Sequence, residues 1–262
     1  MRSLAISRFS SRRALLVGLA GGLVAAACAP AEKTPVAPVT VFAAASLTDA
    51  LGEIATAYER TSGQSVRLSF AASGAVARQV QAGAPADVVF LADPVWMDRL
   101  ETAGILAPGS RVDLLRNHLV VIAPVGLDTG ADPFAWLAET NGRLAIGDPE
   151  SVPAGSYARA WLTATGRWAG LQDRLVTASD VRAVRTFVQR KEAGLGIVYL
   201  SDTIGAPGVK VVARPAVADQ PSILYPAAVT LAGKVRSAAF MTFLRGPEAQ
   251  RIFSARGFEP IS

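Results

Sequence analysis

A short apolar strand that runs through small residues into a helix opened by a hydroxyl constrains this chain most, because the same step recurs down the sequence. Val39 to Ala43 leads through Ala44 and Ala45 to Ser46, and Leu47, Leu51, Ile54 and Tyr58 follow at helical spacing. Asp49 stands three residues after Ser46, so the pair reads as a capping box at the start of a helix over 47–62. Val66 to Phe70 then leads into a helix over 74–82, and Asp87 to Leu91 into one over 94–103 closed by Gly104. Later strands are expected at 118–123, 144–147, 175–177, 196–200, 209–212 and 223–231. Helices are expected at 155–165, 181–193, 236–245 and 247–255. Runs such as DVVFL and HLVVIA are unbroken and apolar, as in strands buried on both faces. This alternation predicts an α/β chain with mostly parallel sheets flanked by helices.

The first residues stand apart from that pattern. Residues 1–28 have the basic, apolar and small-residue regions of an export signal. The apolar part, Ala14 to Ala27, is shorter than the roughly 20 residues of a membrane-spanning helix. Ser11-Arg12-Arg13-Ala14-Leu15-Leu16 resembles a twin-arginine signal, although paired arginines also occur in ordinary leaders. Cys28, the only cysteine, closes a run of three alanines that resembles a lipobox, with Ala25 where a branched residue is usual. Alone in an exported chain it makes no internal disulfide and is either lipidated or removed with the leader. Residues 29–38 then read as a tether.

Charge and chemistry exclude several functions. The chain has 26 Lys+Arg against 21 Asp+Glu, but Arg2, Arg8, Arg12 and Arg13 precede Cys28 with no acid among them, leaving 22 against 21. The mature part is nearly neutral and has no basic run interleaved with aromatics, so nucleic acid is not an expected partner. The single histidine, His118, heads an apolar strand without companion ligands and reads as structural. No G-x-S-x-G elbow, phosphate loop or dinucleotide turn occurs.

Four helix starts follow strands with small or hydroxyl residues: Ala45-Ser46, Ala72-Ser73-Gly74, Pro153-Ala154-Gly155-Ser156 and Ser179-Asp180-Val181. Each offers free amides and the positive end of a helix, where an anion is stabilised. In open α/β sheets ligands bind beyond the carboxyl ends of strands, so starts from two lobes can share one cleft, with the Tyr199 phenol as a further donor. The alternative is that Ser46 and Ser73 only cap their helices. With no Lys or Arg at these starts, the site suits a fully ionised tetrahedral anion, which needs donors only. Hydrogen bonds to charged groups are worth about 1.5–3 kcal/mol each. Half a dozen offset an association cost of about 4–15 kcal/mol.

Four ordered runs resemble the periplasmic molybdate-binding proteins of ABC transporters: AAASLTDAL from Ala43, ASGAVARQVQAGAPADVVFLAD from Ala72, GDPESVPAGSYA from Gly147 and DVRAVRTFVQRKEAGLGIVYLSD from Asp180. The resemblance covers the chain from about Val39 onward. It implies a two-lobed, type II binding fold with two interlobe crossings, near 118–123 and 223–231. One lobe would hold residues 39–120 and 226–262, the other 121–225. It also implies molybdate or tungstate contacts at Ser46, Ser73, Ala154, Val181 and Tyr199, with molybdenum held only as its oxyanion. No cofactor and no catalysis are expected; the partner is a membrane permease, and the protein is a monomer. The expected location is the periplasm, or the outer face of the membrane through a lipidated Cys28. Ala72 and Ala75 depart from the family pattern, which often has a serine and a polar residue there. The rival readings are a binder of sulfate or another tetrahedral oxyanion, and an exported enzyme using the same cleft.

Overall fold

The computed structural model describes residues 37–233 and 235–261. The expected export signal, Cys28 and residues 29–36 of the expected tether lie outside them. Among the described residues no helix is long and apolar enough to cross a membrane.

The chain begins with three strand-to-helix steps: β1 (Val39–Ala44) to α1 (Thr48–Ser62), β2 (Val66–Ala71) to α2 (Ser73–Gln81), and β3 (Val88–Phe90) to α3 (Pro94–Thr102). After β4 (Val112–Asn117) it crosses at His118 into β5 (Leu119–Pro124) of a second sheet. There it continues through α4 (Pro133–Glu139), β6 (Leu144–Gly147), α5 (Pro153–Ala164), α6 (Trp168–Leu171), β7 (Leu175–Ala178), α7 (Val181–Gln189), β8 (Leu195–Tyr199) and β9 (Val209–Ala213). The second crossing returns it to the first sheet as β10 (Ile223–Val229), and α8 (Ala238–Leu244), α9 (Pro247–Ala255) and β11 (Glu259–Pro260) end the chain.

The first sheet has the order β11-β4-β10-β3-β1-β2 and the second β7-β6-β8-β5-β9. Each is mixed, which corrects the expectation of mostly parallel sheets. β1 pairs parallel with β2 and β3, and β6 pairs parallel with β7 and β8, because helical crossovers join them. β10 lies antiparallel between β3 and β4, and β5 antiparallel between β8 and β9. These are the strands that enter each sheet from the other lobe, and they run against its parallel set.

Strand membership also moves the expected lobe limits. Leu119 and Val120 belong to β5 of the second sheet, and Ile223 to Tyr225 belong to β10 of the first. The first crossing falls at the polar step Arg116-Asn117-His118 and the second after the polar stretch 214–222, so each incoming strand, β5 and β10, belongs whole to the sheet it enters. β4, α4, α6 and β11 lie outside the expected elements.

Burial follows from this layering. Val41, Leu51 and Ile54 in the first lobe and Ile122, Ile146 and Ile197 in the second are fully buried in one apolar core that runs through both. A second cluster, including Val76, Leu91, Met97 and Leu100, seals α2 and α3 against the other face of the first sheet. At roughly 25 cal/mol per Å2 of apolar surface, each such side chain contributes about 1.5–3 kcal/mol. The strand ends on which the helix starts sit are therefore held rigidly.

Candidate functional site: a cavity between the lobes

The first wall comes from the carboxyl ends of β1 and β2. Ser46 lies in a single 3-10 turn, Ala45–Leu47, and α1 itself starts at Thr48 without a side-chain cap. The expected capping box is thus absent. The turn is closed instead by Thr48 Oγ1 donating to the Ala45 carbonyl at 2.7 Å. This leaves the buried Ser46 hydroxyl free to meet the Tyr225 hydroxyl at 3.0 Å. Ser73 is the first residue of α2 and fully buried. Its Oγ accepts the Ala92 amide at 3.0 Å, so its O–H remains available as a donor.

The second wall comes from the ends of β6, β7 and β8. Gly155 sets the close packing of α5 on β6, since a Cβ there would lie 2.0 Å from the Gly147 carbonyl oxygen. That contact brings the first turn of α5, with the Ala154 amide, to the strand end. Asp180 caps α7, its Oδ1 accepting the Arg182 amide at 2.8 Å and the Ala183 amide at 2.9 Å. The Val181 amide, first in the helix, has no acceptor within it and stays open. The Tyr199 ring is buried at the end of β8, and its hydroxyl has no protein partner among the described residues. Burial, with the nearby Tyr225, Tyr157, Asp202 and Asp93, pushes this phenol well above its ordinary pKa, so it is a neutral O–H donor.

All five sequence-derived residues, Ser46, Ser73, Ala154, Val181 and Tyr199, line one cavity together with Ala44, Ala45, Ala72, Ala92, Val152, Pro153 and Asp180. Only about 10 Å3 is open to the centre of a water-sized sphere, space for one small species and not for an extended organic molecule. Among the described residues no lysine, arginine or histidine lines it. Asp180 does, and its Oδ1 is engaged by the α7 amides. Among the described residues no group of three or more His, Cys, Asp or Glu is placed to hold a metal ion. His118 is bonded through Nε2 to Glu259 at 2.8 Å, away from the cavity lining.

Three further features escaped sequence reading because their partners are remote in the chain. Arg182 Nη1 donates to Asp49 Oδ2 at 2.8 Å, joining α7 to α1 across the cleft. The Gly74 amide donates to the Ser151 carbonyl at 3.1 Å, also between lobes. Behind Ser46, Asn117 Nδ2 reaches Ser201 Oγ at 2.9 Å and the Tyr225 hydroxyl at 3.4 Å. The only local signal for these was the acid at position 49, and it pointed to a cap.

Two mixed α/β lobes, two crossings and a small donor-lined cavity between them define a solute-binding architecture. Residues 39–259 match the family described as bacterial extracellular solute-binding protein. The chain is 45% identical over 226 residues to the molybdate-binding protein ModA of Escherichia coli, covering 84% of this chain and 88% of that one. It superposes on the periplasmic molybdate-binding protein of Azotobacter vinelandii with a TM-score of 0.76 at 29% identity, covering 86% of this chain and all of that one. A more distant relative from a Pseudomonas species, 26% identical over 262 residues, with 92% of this chain and 95% of that one covered, is named aconitate isomerase. The chain belongs to the bacterial extracellular solute-binding proteins.

Proposed function

We propose that this protein captures molybdate or tungstate in the interlobe cavity and delivers it to the permease of an ABC transporter. The observation that carries the reading is the convergence of Ser46, Ser73, Ala154, Val181 and Tyr199, from both lobes, on one cavity the size of a single small ion. The two serine hydroxyls, the Ala154 and Val181 amides and the Tyr199 phenol act as neutral donors to the oxyanion. Molybdenum is held only as that oxyanion, with no direct protein ligand and no cofactor. An anion bridging both walls stabilises the closed arrangement of the lobes by its differential contacts.

The role is binding and not catalysis. Acid–base catalysis needs groups placed to give and take protons at the cavity, and among the described residues that line it Asp180, whose Oδ1 caps α7, is the one carboxylate, with no lysine, histidine or cysteine beside it. The protein acts as an exported monomer with no nucleic-acid partner. It is either free in the periplasm or held at the outer membrane face through a lipidated Cys28, which the mass of the mature N-terminus distinguishes. Its lobes are 39–118 with 223–262, and 119–213, joined by the two crossings.

Calorimetric titration with molybdate, tungstate, sulfate and phosphate tests the reading. Tight binding of molybdate and tungstate with weak binding of the other two is expected. Equal affinity for molybdate and sulfate overturns the ligand assignment, and turnover of an organic acid without oxyanion binding overturns the class.

A further inference from the structure

The distance between Ser46 Oγ and the Tyr225 hydroxyl leaves open which atom donates. The residues behind the pair settle it. The backbone amide of His118 can only donate, and it lies 2.8 Å from Asn117 Oδ1. That contact fixes the Asn117 side-chain amide with its oxygen toward His118 and its NH2 toward the other two neighbours. Asn117 Nδ2 therefore donates to Ser201 Oγ at 2.9 Å and to the Tyr225 oxygen at 3.4 Å. A tyrosine oxygen that receives a proton there points its own elsewhere, and the acceptor in reach is Ser46 Oγ at 3.0 Å. Ser46 then accepts from Tyr225, and its own hydrogen turns to the cavity. All four side chains are buried, so water does not readily scramble the order.

We infer that Tyr225 and Asn117 are positioning residues that hold the Ser46 hydroxyl as a donor toward the ligand. Ser73 reaches the same state by a shorter route, through the Ala92 amide. The chain of donors begins at the first crossing, where Asn117 ends β4, and ends in the cavity. Its consequence is selectivity: a serine locked as donor favours an anion without protons and gives no acceptor to a protonated one such as hydrogen phosphate. This inference rests on the oxyanion reading above.

The test is a double-mutant cycle on the mature protein, titrated with molybdate and with phosphate by calorimetry. Ser46→Ala is expected to weaken molybdate about 10- to 100-fold, as for loss of a hydrogen bond to a charged group. Tyr225→Phe keeps the ring and is expected to weaken molybdate roughly 10-fold while weakening phosphate less, because the freed hydroxyl then accepts a proton. In the Ser46→Ala background Tyr225→Phe should cost less than about twofold. Additive losses, or equal loss for both anions, overturn the inference and reduce Tyr225 to packing. If Tyr225→Phe lowers the melting temperature severely, Asn117→Ala carries the same cycle with the same expectations. Should the wild-type protein ignore molybdate and bind sulfate, the ligand assignment fails, and the cycle run with sulfate still decides the role of Tyr225. Should it bind no oxyanion, both fall.

Discussion

Asp49 and Arg182 form an ion pair 2.8 Å long that joins the first helix of one lobe to the helix carrying Val181 in the other. The guanidinium beside Asp49 holds its carboxyl below the ordinary range, Arg182 being the main cause. Both side chains are partly exposed, at 41% and 27%, so solvent screens the pair and its worth is modest. The pair nevertheless exists only while the lobes touch. Asp49→Asn is expected to weaken ligand binding about two- to fivefold, with little change in the melting temperature of the ligand-free protein. A pKa depressed in the closed state means the contribution is full above the ordinary aspartate value and is lost as pH falls through the depressed one. Affinity measured from pH 7 to pH 3 in the wild type and the variant checks this.

Gly74 sets how closely the lobes approach. A Cβ at this position would lie 2.6 Å from the Ser151 carbonyl oxygen across the cleft and 2.7 Å from Trp96 Cζ2 within its own lobe. In the first turn of α2 alanine gains less than the roughly 1 kcal/mol of a helix interior, a small offset to the displacement of Trp96. No such gain offsets the clash with Ser151 when the lobes close. Gly74→Ala is expected to reduce affinity at least 10-fold and to shrink the rise in melting temperature on adding ligand, measured by calorimetry and thermal denaturation.

Tyr199 separates binding from stability. Its buried hydroxyl has no protein partner among the described residues, and leaving such a group unsatisfied costs about 1–3 kcal/mol. Tyr199→Phe should leave the melting temperature of the ligand-free protein unchanged or a few degrees higher and weaken oxyanion binding about 10-fold. A fall in melting temperature with unchanged affinity would return the residue to plain packing.

Asp202 contributes to the pH dependence of folding. Its carboxyl is buried beside Tyr199, accepts the Tyr199 amide at 3.3 Å through Oδ2, and has no partner at Oδ1. Burial raises its pKa to about 7, against the opposing charges of Arg185 and Arg182. The folded protein therefore holds this proton more tightly than the unfolded chain. The associated stability is complete below about pH 4 and is lost as pH rises toward 7. Asp202→Asn should flatten the melting-temperature profile between those values and raise stability at pH 8. A profile unchanged by the substitution would assign the pH dependence to other groups.

Much of the candidate site is legible in the chain because its parts are local. A strand end, a small residue and a helix start are neighbours in sequence, and free first-turn amides follow from helix geometry whatever the side chain. Ala154 and Val181, which no side-chain chemistry would select, came from the family resemblance, and they fall at helix starts that line the cavity alongside Ser46, Ser73 and Tyr199. The alternation of apolar runs likewise determined the α/β class and the order of most elements.

Only the tertiary structure decided what stands behind those residues. β10 returns from the second lobe and inserts antiparallel between β3 and β4, which makes the sheet mixed and places Tyr225 against Ser46 from 179 residues away. The approach of α7 to α1 across the cleft turned Asp49 from an expected cap into an interlobe partner of Arg182. Local chemistry states which donors and acceptors a segment carries. Which of them meet depends on how two sheets share one chain, and that is set by burial of both apolar faces at once.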